Sequence, residues 1–99
     1  MYIRTKENQQ KHDSGVATWA VSYVKGGWSN VLSDLPGNVK PPKINGHIPD
    51  IYASHGNAER VVEIETQDSV NSEHARQQVV AFQAWARMGQ NRKFEVKVV

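Results

Sequence analysis

The run Val61-Val62-Glu63-Ile64-Glu65-Thr66 constrains this chain more than any other stretch. It reads as a buried strand. Side chains on a strand alternate, so Glu63 and Glu65 project to one side while Val62 and Ile64 project to the other. Burying a charge costs roughly several kcal/mol per ion unless something neutralises it. A third acid lies upstream in Ile48-Pro49-Asp50-Ile51-Tyr52. If the two segments pair as strands joined by a tight turn, Asp50 and Glu63 come to one end of a sheet. A divalent cation is one way to neutralise acids gathered there, because hard cations such as Mg²⁺ are held by one or two carboxylates plus water and phosphate oxygens.

The surrounding pattern supplies the other elements. Val16, Trp19, Ala20, Tyr23 and Val24 recur at helical steps, with Asp13 or Ser14 as N-cap and Gly26-Gly27 as the stop. Residues 1–10 are polar, either a flexible start or the first turns of that helix. Strand character over 28–35 ends in the turn signal Leu35-Pro36-Gly37-Asn38. A second strand is predicted over 44–53. Pro49 marks it as an edge, a bulge or a strand that starts late. After the turn Ser54-His55-Gly56-Asn57-Ala58 comes the acidic strand. A helix capped by Ser72 follows, with Ala75, Val79, Phe82 and Ala86 on one stripe and a stop at Gly89. In the final strand Phe94, Val96 and Val98 alternate with Lys93, Glu95 and Lys97. The expected fold is α+β: order α-β-β-β-α-β, a central four-stranded mixed sheet and flanking helices, with the last strand returning parallel to a neighbour.

Ninety-nine residues allow one domain, 1–99. The absence of cysteine excludes disulfides, thiolate nucleophiles and thiolate metal sites. A net charge of +2 permits a polyanionic partner without demanding one. No apolar run approaches the roughly 20 residues of a membrane span, and the N-terminal stretch lacks the apolar segment of a secretory signal. A cytoplasmic protein is therefore expected.

With Pro49-Asp50 followed by Glu63-Ile64-Glu65 in this element order, residues 12–99 resemble the PD-(D/E)XK nuclease superfamily. That superfamily includes many restriction endonucleases and archaeal-type Holliday junction resolvases. The resemblance implies a restriction-endonuclease-like core and Mg²⁺- or Mn²⁺-dependent hydrolysis of phosphodiesters in DNA. It further implies Asp50, Glu63 and the backbone carbonyl of Ile64 as metal ligands. Most members carry lysine where this chain has Glu65. Some restriction enzymes have the E-X-E version, in which the second glutamate would ligate a further ion or accept a proton from water. Several subfamilies also place a glutamine on the following helix with an aromatic four residues later, matched here by Gln78 and Phe82, which share a helical stripe. So small a core offers limited surface for a DNA interface on the order of 1,000 Å², which favours a homodimer or a partner subunit.

Two rival readings stand beside this one. The same fold, without the lysine, would be a non-catalytic module that binds nucleic acid or protein. Alternatively, an unrelated α/β domain would pair the acids with Arg60 or Lys97. His12, His55 and His74 are expected to be solvated. His47 could point toward the acids but reads first as a surface residue. Trp19, Trp85 and Tyr23 fit a core better than a base-stacking platform.

Overall fold

The computed structural model describes residues 3–99. Its elements are α1 (Lys6–Lys25), β1 (Asn30–Ser33), β2 (Ile51–His55), β3 (Ala58–Glu65), α2 (Glu73–Arg87) and β4 (Arg92–Val98). The strands lie in the order β1-β2-β3-β4. β1, β2 and β3 pair antiparallel, and β4 returns through α2 to pair parallel with β3. The result is an α+β fold with a four-stranded mixed sheet and two helices, in the order that the hydrophobic pattern predicts. Among the described residues no helix is long and apolar enough to cross a membrane.

Three boundaries differ from expectation, each for a local reason. α1 begins at Lys6 rather than after Asp13, because Thr5 caps it. The Thr5 hydroxyl accepts from the Asn8 N–H at 3.2 Å and its carbonyl accepts from Gln9 at 2.8 Å. The first two turns are polar, so no apolar period announces them. Residues 6–10 are thus helical, and Met1 and Tyr2 lie outside the described residues. β1 is short because the Trp28 N–H is taken by the Tyr23 carbonyl before it, and after one further ladder bond, from the Asp34 N–H to the Asp50 carbonyl, the chain enters the turn closed by the Asn38 N–H on the Leu35 carbonyl.

β2 starts at Ile51, not Ile44. Ile44 and His47 instead close a miniature turn in which each N–H donates to the other's carbonyl, at 2.7 and 3.0 Å. The two residues inside it, Asn45 (φ 48°) and Gly46 (φ 86°), are both left-handed, the geometry of a tight primed turn. Pro49 then delivers the chain to the sheet, so of the readings its position allowed, the late start is the one realised.

Two apolar clusters hold the layers together. Val16, Ile51, Val62 and Ile64 form one under α1, extended by Trp19, Ala20, Tyr23, Val31, Leu35 and Val99. Ile44, Val61, Phe82 and Trp85 form the other under α2, extended by Tyr52, Ala86 and Phe94. Val24, expected on the buried stripe of α1, is 61% exposed, while its neighbour Tyr23 packs on the cluster. α1 approaches the sheet closely at Gly15. A Cβ there would lie 2.9 Å from both Ile64 Cγ2 and Val99 Cγ1. α2 is capped as predicted, the Ser72 hydroxyl accepting from the Ala75 N–H at 3.1 Å.

Candidate functional site

The register of β2 on β3 brings the two predicted acids together. Ile51 pairs with Val62, so the next position along sets Asp50 opposite Glu63. There the ladder stops, and the Asp50 side chain replaces it. Oδ2 accepts from the backbone N–H of Ile64 at 2.8 Å. A strand residue turns its N–H and C=O to the same edge, so the Ile64 carbonyl also faces the β2 side of β3. Oδ1 accepts from His12 Nε2 at 3.1 Å, and His12 Nδ1 lies 3.0 Å from Asp13 Oδ1.

His12 was expected in solvent at a helix start. It is instead 6% exposed and faces the sheet, because the earlier start of α1 places it mid-helix, one turn before Val16. The His12–Val16 spacing of four was a usable signal, masked by the misplaced N-cap.

Burial and charge set the protonation states. Glu63 is 2% exposed. Burial first, then the Asp50 charge and, more weakly, Glu65, push its carboxyl well above the ordinary 4.5. Burial also works against the Asp50 carboxylate, but the bonds to His12, Glu63 and the Ile64 N–H hold it below its usual 3.8. For His12 burial works against the cation, yet Asp50 and Asp13 raise it above 6.5. Burial and the neighbouring charges thus favour the cationic form of His12, the ionised form of Asp50 and the neutral form of Glu63, three groups in a row. Glu63 Oε1 is buried and has no hydrogen-bond partner among the described residues.

The pair borders a cleft of about 530 Å³. Arg4, His12 and Asp13 line it on the α1 side, Lys43 and His47 from the segment before Asp50, and His74 and Gln78 from α2. Gln78 is therefore where the helical stripe puts it, half-buried beside the acids. His47 is half-buried, its ring edge-on to Phe82 at 6.2 Å and 6.3 Å from that of His74. His74, though exposed, borders the cleft as well.

Glu65 shares the α2 face with Glu63 but serves another partner. It accepts from the Ser69 hydroxyl at 2.5 Å and lies 3.7 Å from the Arg4 guanidinium, and it does not line the cleft. Ser69 in turn accepts from the Thr66 N–H at 2.9 Å, so Glu65 fastens the turn that leads into α2. The acids are not neutralised by Arg60 or Lys97. Arg60 donates to the Glu59 carbonyl and lies over Trp28, while Lys97 pairs with Glu95 and lies over Trp19.

Among the described residues, no set of three or more His, Asp or Glu side chains draws together as a ready-made metal cage. Two carboxylates with one orphaned oxygen do fit a hard ion that takes its remaining ligands from water and substrate. No protein-family model matches this chain, nor does any curated protein or solved structure match it significantly.

Proposed function

We propose that the chain is a cytoplasmic, Mg²⁺- or Mn²⁺-dependent phosphodiesterase acting on DNA, with a restriction-endonuclease-like core of the PD-(D/E)XK type. One observation carries the reading: Glu63 Oε1 is buried without a partner beside Asp50 at the edge of an open cleft. An unsatisfied buried polar atom costs about 1–3 kcal/mol, and a ligand that approaches from the cleft removes that cost.

Asp50 and Glu63 would hold the ion, with the Ile64 carbonyl on the same edge of β3. The chemistry such an ion supplies is Lewis acidity toward a phosphoryl oxygen and a lowered pKa for the attacking water. The chain's own groups do the rest. His12 and the Ile64 N–H fix the Asp50 carboxylate in one orientation. Gln78 offers an amide to orient water, and Lys43 and Arg4 on the rim offer charge to flanking phosphates. Glu65 acts indirectly, by holding the Thr66–Ser69 turn and so the start of α2.

A second reading, a non-catalytic module that binds nucleic acid or a protein, is favoured by a different observation. Both Asp50 oxygens are already engaged, and no third acid or histidine completes a cage. Cleavage of end-labelled duplex and single-stranded DNA with Mg²⁺ or Mn²⁺ separates the two. The nuclease reading expects nicking that Asp50→Asn or Glu63→Gln abolishes and that Glu65→Gln, which keeps the Ser69 bond, leaves in place. It also expects amide shifts at Asp50, Glu63 and Ile64 during metal titration. Absence of both responses at millimolar metal overturns the nuclease reading and favours the module.

A further inference from the structure

β4 is an edge of the sheet, and nothing among the described residues pairs with its outer side. The ladder to β3 fixes which backbone groups are left over. The Glu59 N–H donates to the Asn91 carbonyl at 2.9 Å, and the Glu65 carbonyl accepts from the Val99 N–H at 2.8 Å. In a parallel ladder alternate residues bond to the neighbour and those between them point away. The odd-numbered residues of β4 therefore serve β3, and Arg92, Phe94, Val96 and Val98 present free N–H and C=O groups outward.

The side chains of this edge alternate between an apolar face and a charged one. Phe94, Val96 and Val98 lie opposite Val61, Glu63 and Glu65 and share their face of the sheet. Phe94 packs on Phe82 with ring centroids 5.5 Å apart, but Val96 is 36% and Val98 45% exposed. On the other face Glu95 and Lys97 are the half-buried pair. The strand contains no proline and no bulge, two of the usual means of protecting an edge.

We propose that β4 pairs antiparallel with β4 of a second copy of this chain, about a two-fold axis through Val96. Charge and shape single out that register. With the axis at Val96, Glu95 faces the partner copy's Lys97 twice, Val96 faces its own counterpart, and Phe94 faces Val98. The outward backbone groups of Val96, Phe94 and Val98 then meet one another as hydrogen-bonded pairs. With the axis at Glu95, Glu95 opposes Glu95 and Lys93 opposes Lys97. With the axis at Lys97, Lys97 opposes itself. With the axis at Phe94, Lys93 faces Glu95 twice, but Arg92 lies against Val96 twice and the exposed Val98 falls opposite Gln90, so shape decides against it. Like charges directly opposite are destabilising and unlike charges stabilising. The self-complementary surface is of the kind a two-fold interface requires.

The product is one continuous eight-stranded sheet from two four-stranded ones. An antiparallel edge pairing keeps both copies the same way up, so both acid clefts open on one side. Glu63 lies beside Val96, so the two Glu63 residues stand three strand spacings apart, about 14 Å. The pairing does not depend on the nuclease reading.

Sedimentation of the full chain over a concentration series tests it. A dimer of twice the 11.1 kDa chain mass is expected. Glu95→Lys or Lys97→Glu alone should raise its dissociation constant about tenfold, and the double exchange Glu95→Lys with Lys97→Glu should restore it. Circular dichroism establishes that each variant is folded. Residue-resolved hydrogen exchange supplies an independent reading: the Phe94, Val96 and Val98 amides should become protected as concentration rises, while Glu95 and Lys97 are protected throughout. A chain that stays monomeric, a dimer indifferent to either reversal, or outward amides that stay unprotected in the dimer overturns the proposal.

Discussion

On one face of β3, Val62 and Ile64 disappear under α1; on the other, Val61 packs under α2 but Glu63 and Glu65 follow it. The two layers are built differently. Under α1 the fully buried centre is aliphatic, with Trp19 and Tyr23 only at its margin, and Gly15 lets the helix come close. Under α2 the packing is aromatic, with Phe82 at its centre against Phe94 and the Trp85 indole nearby, and it stops one residue before the acids. A closed apolar layer on one face lets the other be left partly open, so the cleft occupies the end that α2 does not fill.

The largest test of this contrast is to empty the α2 layer. Phe82→Ala should cost about 3–5 kcal/mol of unfolding free energy, measured by chemical denaturation. A loss below about 1 kcal/mol would mean that the α1 layer alone holds the fold.

Next is the acid that interrupts the second layer. Glu63→Gln should stabilise the protein by about 1–3 kcal/mol near neutral pH, by removing a group whose ionised form is penalised. The sign follows from linkage. Folding raises the Glu63 pKa above 4.5, so its contribution is present below that value and is lost as pH climbs through the folded pKa. His12, raised above 6.5, contributes below 6.5 and loses its contribution as pH rises further. Asp50, lowered, contributes above 3.8 and loses its contribution only in acid. The unmodified chain should therefore be less stable at about pH 8 than at about pH 5, and Glu63→Gln should flatten that slope. An unchanged slope would place the proton elsewhere.

The smallest effect concerns the close approach on the α1 side. Gly15→Ala gains about 1 kcal/mol of helix propensity but forces Ile64 and Val99 aside, an overpacking cost of about 1–3 kcal/mol. A net loss of about 1 kcal/mol should appear in thermal denaturation. A rise in Tm would show that the two layers are equally loose.

Much of this architecture was legible in the residues. The alternation of Val62 and Ile64 with Glu63 and Glu65 placed the central strand, and the Ser72 cap with the Phe82 stripe placed α2 and Gln78. Apart from the His12–Val16 spacing, what escaped had no periodic signature. Thr5 begins α1 through a cap and a polar first stretch, and with that start lost, His12 was assigned to solvent. Alternation correctly set Glu63 and Glu65 on one face but said nothing of Ser69, which draws Glu65 out of the cleft. The outward valines of β4 fit a half-exposed strand by pattern. That α2 stops short of covering them depends on helix placement, which local sequence does not encode.

The short route between Asp50 and β3 has a kinetic consequence. The Ile64 amide lies 14 residues from Asp50, across a hairpin with a two-residue turn at Gly56-Asn57, whereas His12 is 38 residues away. Hairpins close in about 1–10 μs, faster than contacts that bridge distant segments. Hairpin closure thus brings the two carboxyls together first, and docking of the N-terminal helix then adds the imidazole that bonds Asp50.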